Sequence, residues 1–345
     1  KAPKLDFNAY YNFDYQHFAK GTNSDDYTHN LEATGTLTVL ENLFFIEAGD
    51  NYKRVSLDVA RDTTNESLFV NQSDQNTATV SPYFNWKIGN SSSIKTGYKY
   101  TNIWYKGSQG IDKREHFAFA DASHELVEKF FLNWGYSYTD TGSSVQNYQR
   151  HSPYGGFRYE YNDKSFLFAQ AGNTWKSYSN GANVSDIFWN GGLTHEMTFA
   201  TVVLETRVQY SEDPIRVSTK ETIYSGSLAR KFERGSAELS SGYTEYKTFE
   251  TGEKFQEKFS IGASGNYELA EHLNFSLGAM VEHFSQKVLV GYPYRFSGNA
   301  SLAYNFTDDL TFMLNYTNVS YRNGVTDFSD SKDINRMVLW MTLNL

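Results

Sequence analysis

The sequence predicts an all-β fold: a closed antiparallel transmembrane β-barrel of about 18 strands (16–18), forming a single domain over residues 1–345. Three observations predict it. Apolar and polar residues alternate one by one through most of the chain. The breaks between alternating stretches are short and long in turn. No stretch has a helical period, and none is apolar for the roughly 18 residues that a membrane-crossing helix needs.

The first stretch sets the pattern. Leu5, Phe7, Ala9, Tyr11, Phe13 and Tyr15 form one row, and Asp6, Asn8, Tyr10, Asn12, Asp14 and Gln16 form the other. Strict alternation is the mark of a strand with two unlike faces. The pattern recurs as Leu31, Ala33, Leu37 and Val39 against Glu32, Thr34, Thr36 and Thr38, and as Phe44, Ile46 and Ala48 against Glu47, Gly49, Asn51 and Lys53. Late in the chain it gives Phe259, Ile261 and Ala263 against Lys258, Ser260 and Gly262. Leu273, Phe275, Leu277, Ala279 and Val281 then oppose Asn274, Ser276, Gly278, Met280 and Glu282. Residues 114–126 and 216–232 alternate poorly, so their faces are not assigned.

Tight connections fall at 41–43, 88–92, 126–129, 161–164, 194–198, 232–235, 269–272 and 306–310, with turn residues such as Asn162-Asp163-Lys164 and Glu233-Arg234-Gly235. Longer polar stretches lie between them, at 19–28, 58–76, 106–114, 140–147, 178–184, 211–217, 249–254, 286–291 and 322–333. An outer-membrane barrel has this asymmetry, with short periplasmic turns and longer outer loops, and an even strand number places both termini in the periplasm. Closure also removes the free edges that an open sheet of this size would expose.

Composition narrows the function classes. Tyr 26, Phe 26 and Trp 6 make 17% of the chain, whereas Pro is 5 and Cys is 0. Without cysteine there are no disulfides, thiolate metal sites or c-type haem attachment. The net charge of −9 disfavours nucleic acid as a partner. A mean hydropathy of −0.58 does not exclude a membrane, because lipid-facing and water-facing residues of a barrel strand cancel in the average. The chain does not begin with Met and carries no signal peptide, so the sequence reads as a mature form. Aromatics near strand ends, among them Tyr15, Phe84, Trp86, Tyr136, Tyr138, Phe157, Tyr159, Tyr304 and Phe306, suit a headgroup belt.

The last stretch, "INRMVLWMTLNL", alternates Met337, Leu339, Met341, Leu343 and Leu345 with Arg336, Val338, Trp340, Thr342 and Asn344. Here the chain resembles Gram-negative outer-membrane β-barrel, porin-like proteins, whose final strand ends in alternating apolar residues and a terminal aromatic. Leu345 stands where that aromatic is usual, and Trp340 where many members carry Gly. The resemblance covers the architecture and identifies no subfamily. It implies a bacterial outer-membrane location, with lipid and lipopolysaccharide around the barrel.

Eighteen strands enclose too wide a space for side chains to fill. The polar rows put both signs of charge there: Asp6, Asp14, Glu32, Glu47, Glu160, Glu205, Glu238 and Glu282, against Lys53, Lys95, Lys99, Arg158, Arg207, Lys258, Arg295 and Arg336. These are the candidate pore-lining residues. The expectation is a porin-like channel passing polar solutes through a water-filled lumen. Two alternatives stay open: a polysaccharide-export barrel, or a sleeve for a partner protein in or beside the lumen, such as a multihaem cytochrome. Residues 58–76, with "SLFV", are the candidate for an inward-folded constriction loop, and Tyr10, Tyr83, Tyr246 and Trp340 are candidate inward aromatics. An enzyme is not expected. Neighbours such as His151-Ser152 point to opposite faces, His283 and Ser285 share a face without any signature, and Asp327, Asp330 and Asp333 do not match a calcium loop. No cofactor is expected.

Overall fold

A computed structural model describes residues 4–16, 26–61, 72–107, 109–285, 292–307, 310–326 and 331–343. Eighteen strands follow in order: β1 (Lys4–Gln16), β2 (Asp26–Leu40), β3 (Phe44–Ser56), β4 (Gln72–Ile88), β5 (Ser92–Tyr105), β6 (Lys113–Val127), β7 (Phe130–Ser143), β8 (Tyr148–Asn162) and β9 (Ser165–Tyr178). Then come β10 (Asn183–Glu196), β11 (Thr201–Asp213), β12 (Arg216–Phe232), β13 (Gly235–Thr248), β14 (Lys254–Ala270), β15 (Leu273–Phe284), β16 (Tyr294–Asn305), β17 (Leu310–Arg322) and β18 (Ser331–Leu343). Each strand pairs antiparallel with the next, from β1–β2 through β17–β18. The strand number matches the upper expectation, and the two poorly alternating stretches are β6 and β12.

Three of the tight turns share a device. Asn42, Lys129 and His272 take left-handed φ values of 63°, 66° and 69°. Each sits just after a register shift, at Thr38/Leu40, Glu125/Val127 and Glu268/Ala270. A bulge followed by a left-handed residue lets a short hairpin keep the right-handed twist of its strands.

The register carries one face around the whole sheet. On it stand all sixteen charged residues picked out above; for example Asp6 pairs with Thr36, Thr36 with Glu47, and Glu47 with Ser81. The opposite face exposes large apolar side chains, including Leu277 at 56%, Ile261 at 53% and Leu339 at 73%. The polar face, by contrast, buries Thr139, Thr174, Asp213, Thr219 and Gln256. A soluble sheet buries its apolar face. Here the order is reversed, as it is where the outward face meets lipid.

Two places interrupt the sheet. Among the described residues no ladder joins β1 to β18; instead Arg336 donates to Asp14 at 2.8 Å. The second lies between β10 and β11, whose ladder runs from Glu196↔Thr201 only as far as Asn190↔Arg207. Beyond it, residues 183–189 pair with β9 alone and residues 208–213 with β12 alone. The freed hairpin tip crosses the polar face to the ends of β5 and β6, where the Pro214 carbonyl accepts from the Ile111 amide at 2.7 Å.

One sequence expectation is corrected here, and another falls largely outside the described residues. The stretch 211–217 is not a longer loop: only Pro214 and Ile215 separate β11 from β12. Among the described residues the inward-folded element is this hairpin tip. Of the expected constriction loop, residues 62–71, including "SLFV", lie outside the described residues. At the entry to that stretch Leu57, Ala60 and Arg61 are buried, with the Arg61 guanidinium 4.1 Å from the Phe284 ring centroid.

Candidate functional site at the covered end of the polar face

The polar face has two halves. Toward the tight turns its aromatic rings lie flat along the wall. Tyr83 stacks on Phe45 at 5.2 Å, and the Lys95 ammonium stands 4.0 Å from the Tyr83 centroid. Gly97 makes this possible, since a Cβ there would come within 2.6 Å of Phe119 and 2.7 Å of Tyr83. Ring over cross-strand glycine recurs where Phe188 covers Gly172 and Phe168 covers Gly192. Phe117 and Phe119 therefore face the polar side, which is why β6 alternates poorly in hydropathy.

Toward the longer connections the face is covered by the infolded tip. The Lys113 ammonium donates to Glu212 Oε1 at 2.6 Å and to the carbonyls of Asp213 and Arg216 at 2.5 and 2.8 Å. Tyr105 donates to Glu212 Oε2 at 2.9 Å and accepts from Gln75 at 2.6 Å. Asp213, fully buried, accepts from Thr219 at 2.5 Å and from Arg216 at 3.1 Å, which fixes the two-residue turn. On the side toward β8–β10, Lys220 bonds Asp186, and Tyr210 packs edge-on against Phe249 at 4.6 Å. Phe249, just past β13, also meets the wall residues Tyr148 and Tyr178.

Lys176 lies beneath that cover. It is 1% exposed, with its ammonium 3.7, 4.5 and 4.9 Å from the ring centroids of Tyr148, Phe249 and Tyr178. Arg150 is its cross-strand partner; it donates to Thr139 at 3.2 Å and stands 5.4 Å from the Tyr210 ring. Ser152 and Thr174 share a hydrogen bond of 2.9 Å nearby.

Of the sixteen charged residues picked out from sequence, three groups come together. Asp14 meets Arg336, and Arg158 donates to Glu160 at 2.8 Å while lying 3.7 Å from the Phe166 centroid. The buried Glu282 accepts from Arg295 at 2.7 Å, with Lys258 at 4.0 Å. Glu47 accepts from Tyr83 at 2.9 Å. Asp6, Glu32, Lys53, Lys99, Glu205, Arg207 and Glu238 share the face as separate register positions opposite neutral residues, and Lys95 stands opposite Asp121. Tyr10, Tyr246 and Trp340 are on this face too, Tyr246 being buried opposite Glu221. Sequence reading missed Lys113, Arg150, Lys176, Glu212 and Asp213; the poor alternation of 114–126 and 216–232 was the one signal near Lys113, Glu212 and Asp213.

No hydrolytic arrangement forms from the pairs noted in sequence. The Tyr136 hydroxyl lies 2.6 Å from His151 Nδ1, and Ser152 turns to Thr174. His283 packs on Tyr294 at 4.6 Å, while Ser285 donates to Gln256 at 3.1 Å. Asp327 and Asp330 lie outside the described residues, and among those described no cluster suits a metal ion.

No protein-family model matches the chain, and no curated protein sequence matches it. Solved structures do. A ferric enterobactin receptor of Pseudomonas aeruginosa is similar over 91% of this chain and 61% of its own, with a TM-score of 0.58 at 11% identity. The FrpB iron transporter of Neisseria meningitidis gives 0.60 at 10% identity over 93% of this chain and 66% of its own. The ferric-catecholate import receptor Fiu of E. coli K12 gives 0.56 at 11% identity over 98% and 77%. The chain thus spans about 61 to 77% of their lengths. These neighbours are named as receptors and a transporter, not as general pores or enzymes. The expected porin-like channel, with its export-barrel and cytochrome-sleeve alternatives, is corrected accordingly. The physical reason agrees: the hairpin tip and its buried polar contacts cover the polar face where an open pore would have its mouth. The chain has the fold of Gram-negative outer-membrane β-barrel proteins.

Proposed function

We propose that the chain is the transmembrane barrel of a specific outer-membrane uptake system, taking a selected polar solute rather than small solutes in general. The covered long-loop end carries this reading, because a solute must displace a hydrogen-bonded hairpin tip to enter. In this reading residues 1–345 form one barrel, closed where β18 meets β1. Tight turns and both termini lie in the periplasm, the longer connections face outward, and lipid and lipopolysaccharide surround the apolar face. The sixteen charged residues face the enclosed water. The neighbours' names supply the first solute class to try, ferric chelates of the catecholate type.

The test is growth of a Gram-negative strain lacking its own ferric-chelate receptors, with a ferric catecholate as sole iron source and this chain expressed. Iron-dependent growth above the empty vector is the expected result. Failure to grow, together with rapid swelling of protein-loaded liposomes in sugars, contradicts the reading.

A further inference from the structure

Lys176 and Arg150 place two adjacent basic side chains under the infolded tip, and among the described residues neither has a carboxylate within ion-pair distance. Glu250, next to Phe249, acts on Lys176 only through its field. Around the pair, Arg150 Nε and Tyr178 Oη are buried without hydrogen-bond partners among the described residues. Burying a cation without a counter-charge is costly, and a buried polar atom left unpaired adds to that cost. Aromatic rings attract an ammonium but bring no net negative charge. A set of donors and basic groups lacking only an acceptor is complementary to an anion, whose charge would hold the Lys176 amine in its protonated form.

The strand beside the cover has a free edge that could receive it. The β10–β11 ladder stops at Asn190↔Arg207, and continuing its register would set Ile187 opposite Tyr210 and Ser185 opposite Glu212. Lifting the tip therefore exchanges its contacts with Lys113, Asp186 and Phe249 for ladder hydrogen bonds along the unpaired edge of β10. Two discrete arrangements of one hairpin, each with its own partners, make a switchable element.

We propose that Arg150 and Lys176 form a binding station for the carboxylate or phosphate group of an anionic solute, and that the β11–β12 tip is the lid over it. This rests on the uptake reading above and names the chemistry of its solute.

The test uses the purified full chain folded in detergent, with inorganic phosphate and citrate as probes and sodium chloride at equal ionic strength as the reference. The thermal midpoint of the wild type should rise by about 2 °C or more with at least one probe. Lys176→Met and Arg150→Gln should each lose more than half of that rise, while their midpoints without probe equal or exceed the wild type's. No rise with either probe overturns the station. So does a lowered midpoint in both variants with the rise retained, which marks the cations as structural. For the lid, Ile187→Cys with Tyr210→Cys in this cysteine-free chain should form a disulfide on oxidation; absence of the cross-link overturns the lid. Anion-dependent stabilisation without uptake rejects the transport reading alone, and uptake with no anion effect rejects the station alone.

Discussion

Arg336 of β18 donates to Asp14 of β1 at 2.8 Å, across a junction where no ladder joins the two strands among the described residues. Both residues stand on the polar face, and their side chains are 32% and 13% exposed. The first and last strands of the chain thus meet through a charge-assisted hydrogen bond. Such a contact selects one pairing of the sheet's two ends over slipped alternatives.

Breaking it should loosen the junction. Asp14→Ala or Arg336→Ala should each cost about 1–2 kcal/mol in urea-driven unfolding from lipid vesicles. Asp14→Arg combined with Arg336→Asp should recover more than half of that loss. Equal losses in the single and swapped variants would show that the ion pair does not hold the ends together.

Lys113 makes a stronger prediction. It satisfies Glu212 and two backbone carbonyls at the tip of the infolded hairpin while 4% exposed. Lys113→Met leaves the two carbonyls without that donor and the half-buried Glu212 with Tyr105 alone, and should cost about 2–3 kcal/mol. Adding Glu212→Gln should cost less than the sum of the two single changes, because the stranded charge disappears with it. Strict additivity in this double-mutant cycle would contradict the contact.

The two faces of one strand should respond oppositely to charge. Leu277 lies mid-strand on the exposed apolar face, and its neighbour Ser276 lies on the polar face. Leu277→Arg should cost about 2–4 kcal/mol on folding into vesicles. Ser276→Arg should cost less than about 1 kcal/mol, since its side chain enters the watered side. Similar costs at both positions would argue against a lipid-facing row.

Most of the strand order was legible in the sequence because period-two hydropathy and turn residues act locally. Glu41-Asn42-Leu43 and Asn162-Asp163-Lys164 mark their hairpins from neighbouring residues alone. The shared face of the sixteen charged residues picked out was legible for the same reason. The covered end of the polar face was not. Lys113 and Glu212 are 99 positions apart, and their meeting depends on a ladder that stops after Asn190↔Arg207, which no local pattern encodes. β6 misled because Phe117 and Phe119 turn to the polar side, over the space left by Gly97. β12 misled because Thr222, on the apolar-side register, is buried, and Lys220 beside it turns to Asp186 with its side chain 15% exposed. An open channel was the natural expectation while each strand was taken to stay in the wall for its full length.

The central claim is that alternate residues of each strand face lipid and enclosed water. Single cysteines at positions 273 to 282 along β15, each spin-labelled in this cysteine-free chain after folding into bilayers, test it most directly. Labels at 273, 275, 277, 279 and 281 should be reached by oxygen from the bilayer. Labels at 274, 276, 278, 280 and 282 should be reached preferentially by a water-soluble nickel complex. Loss of that two-residue period, or the reverse assignment of the two rows, would contradict the account.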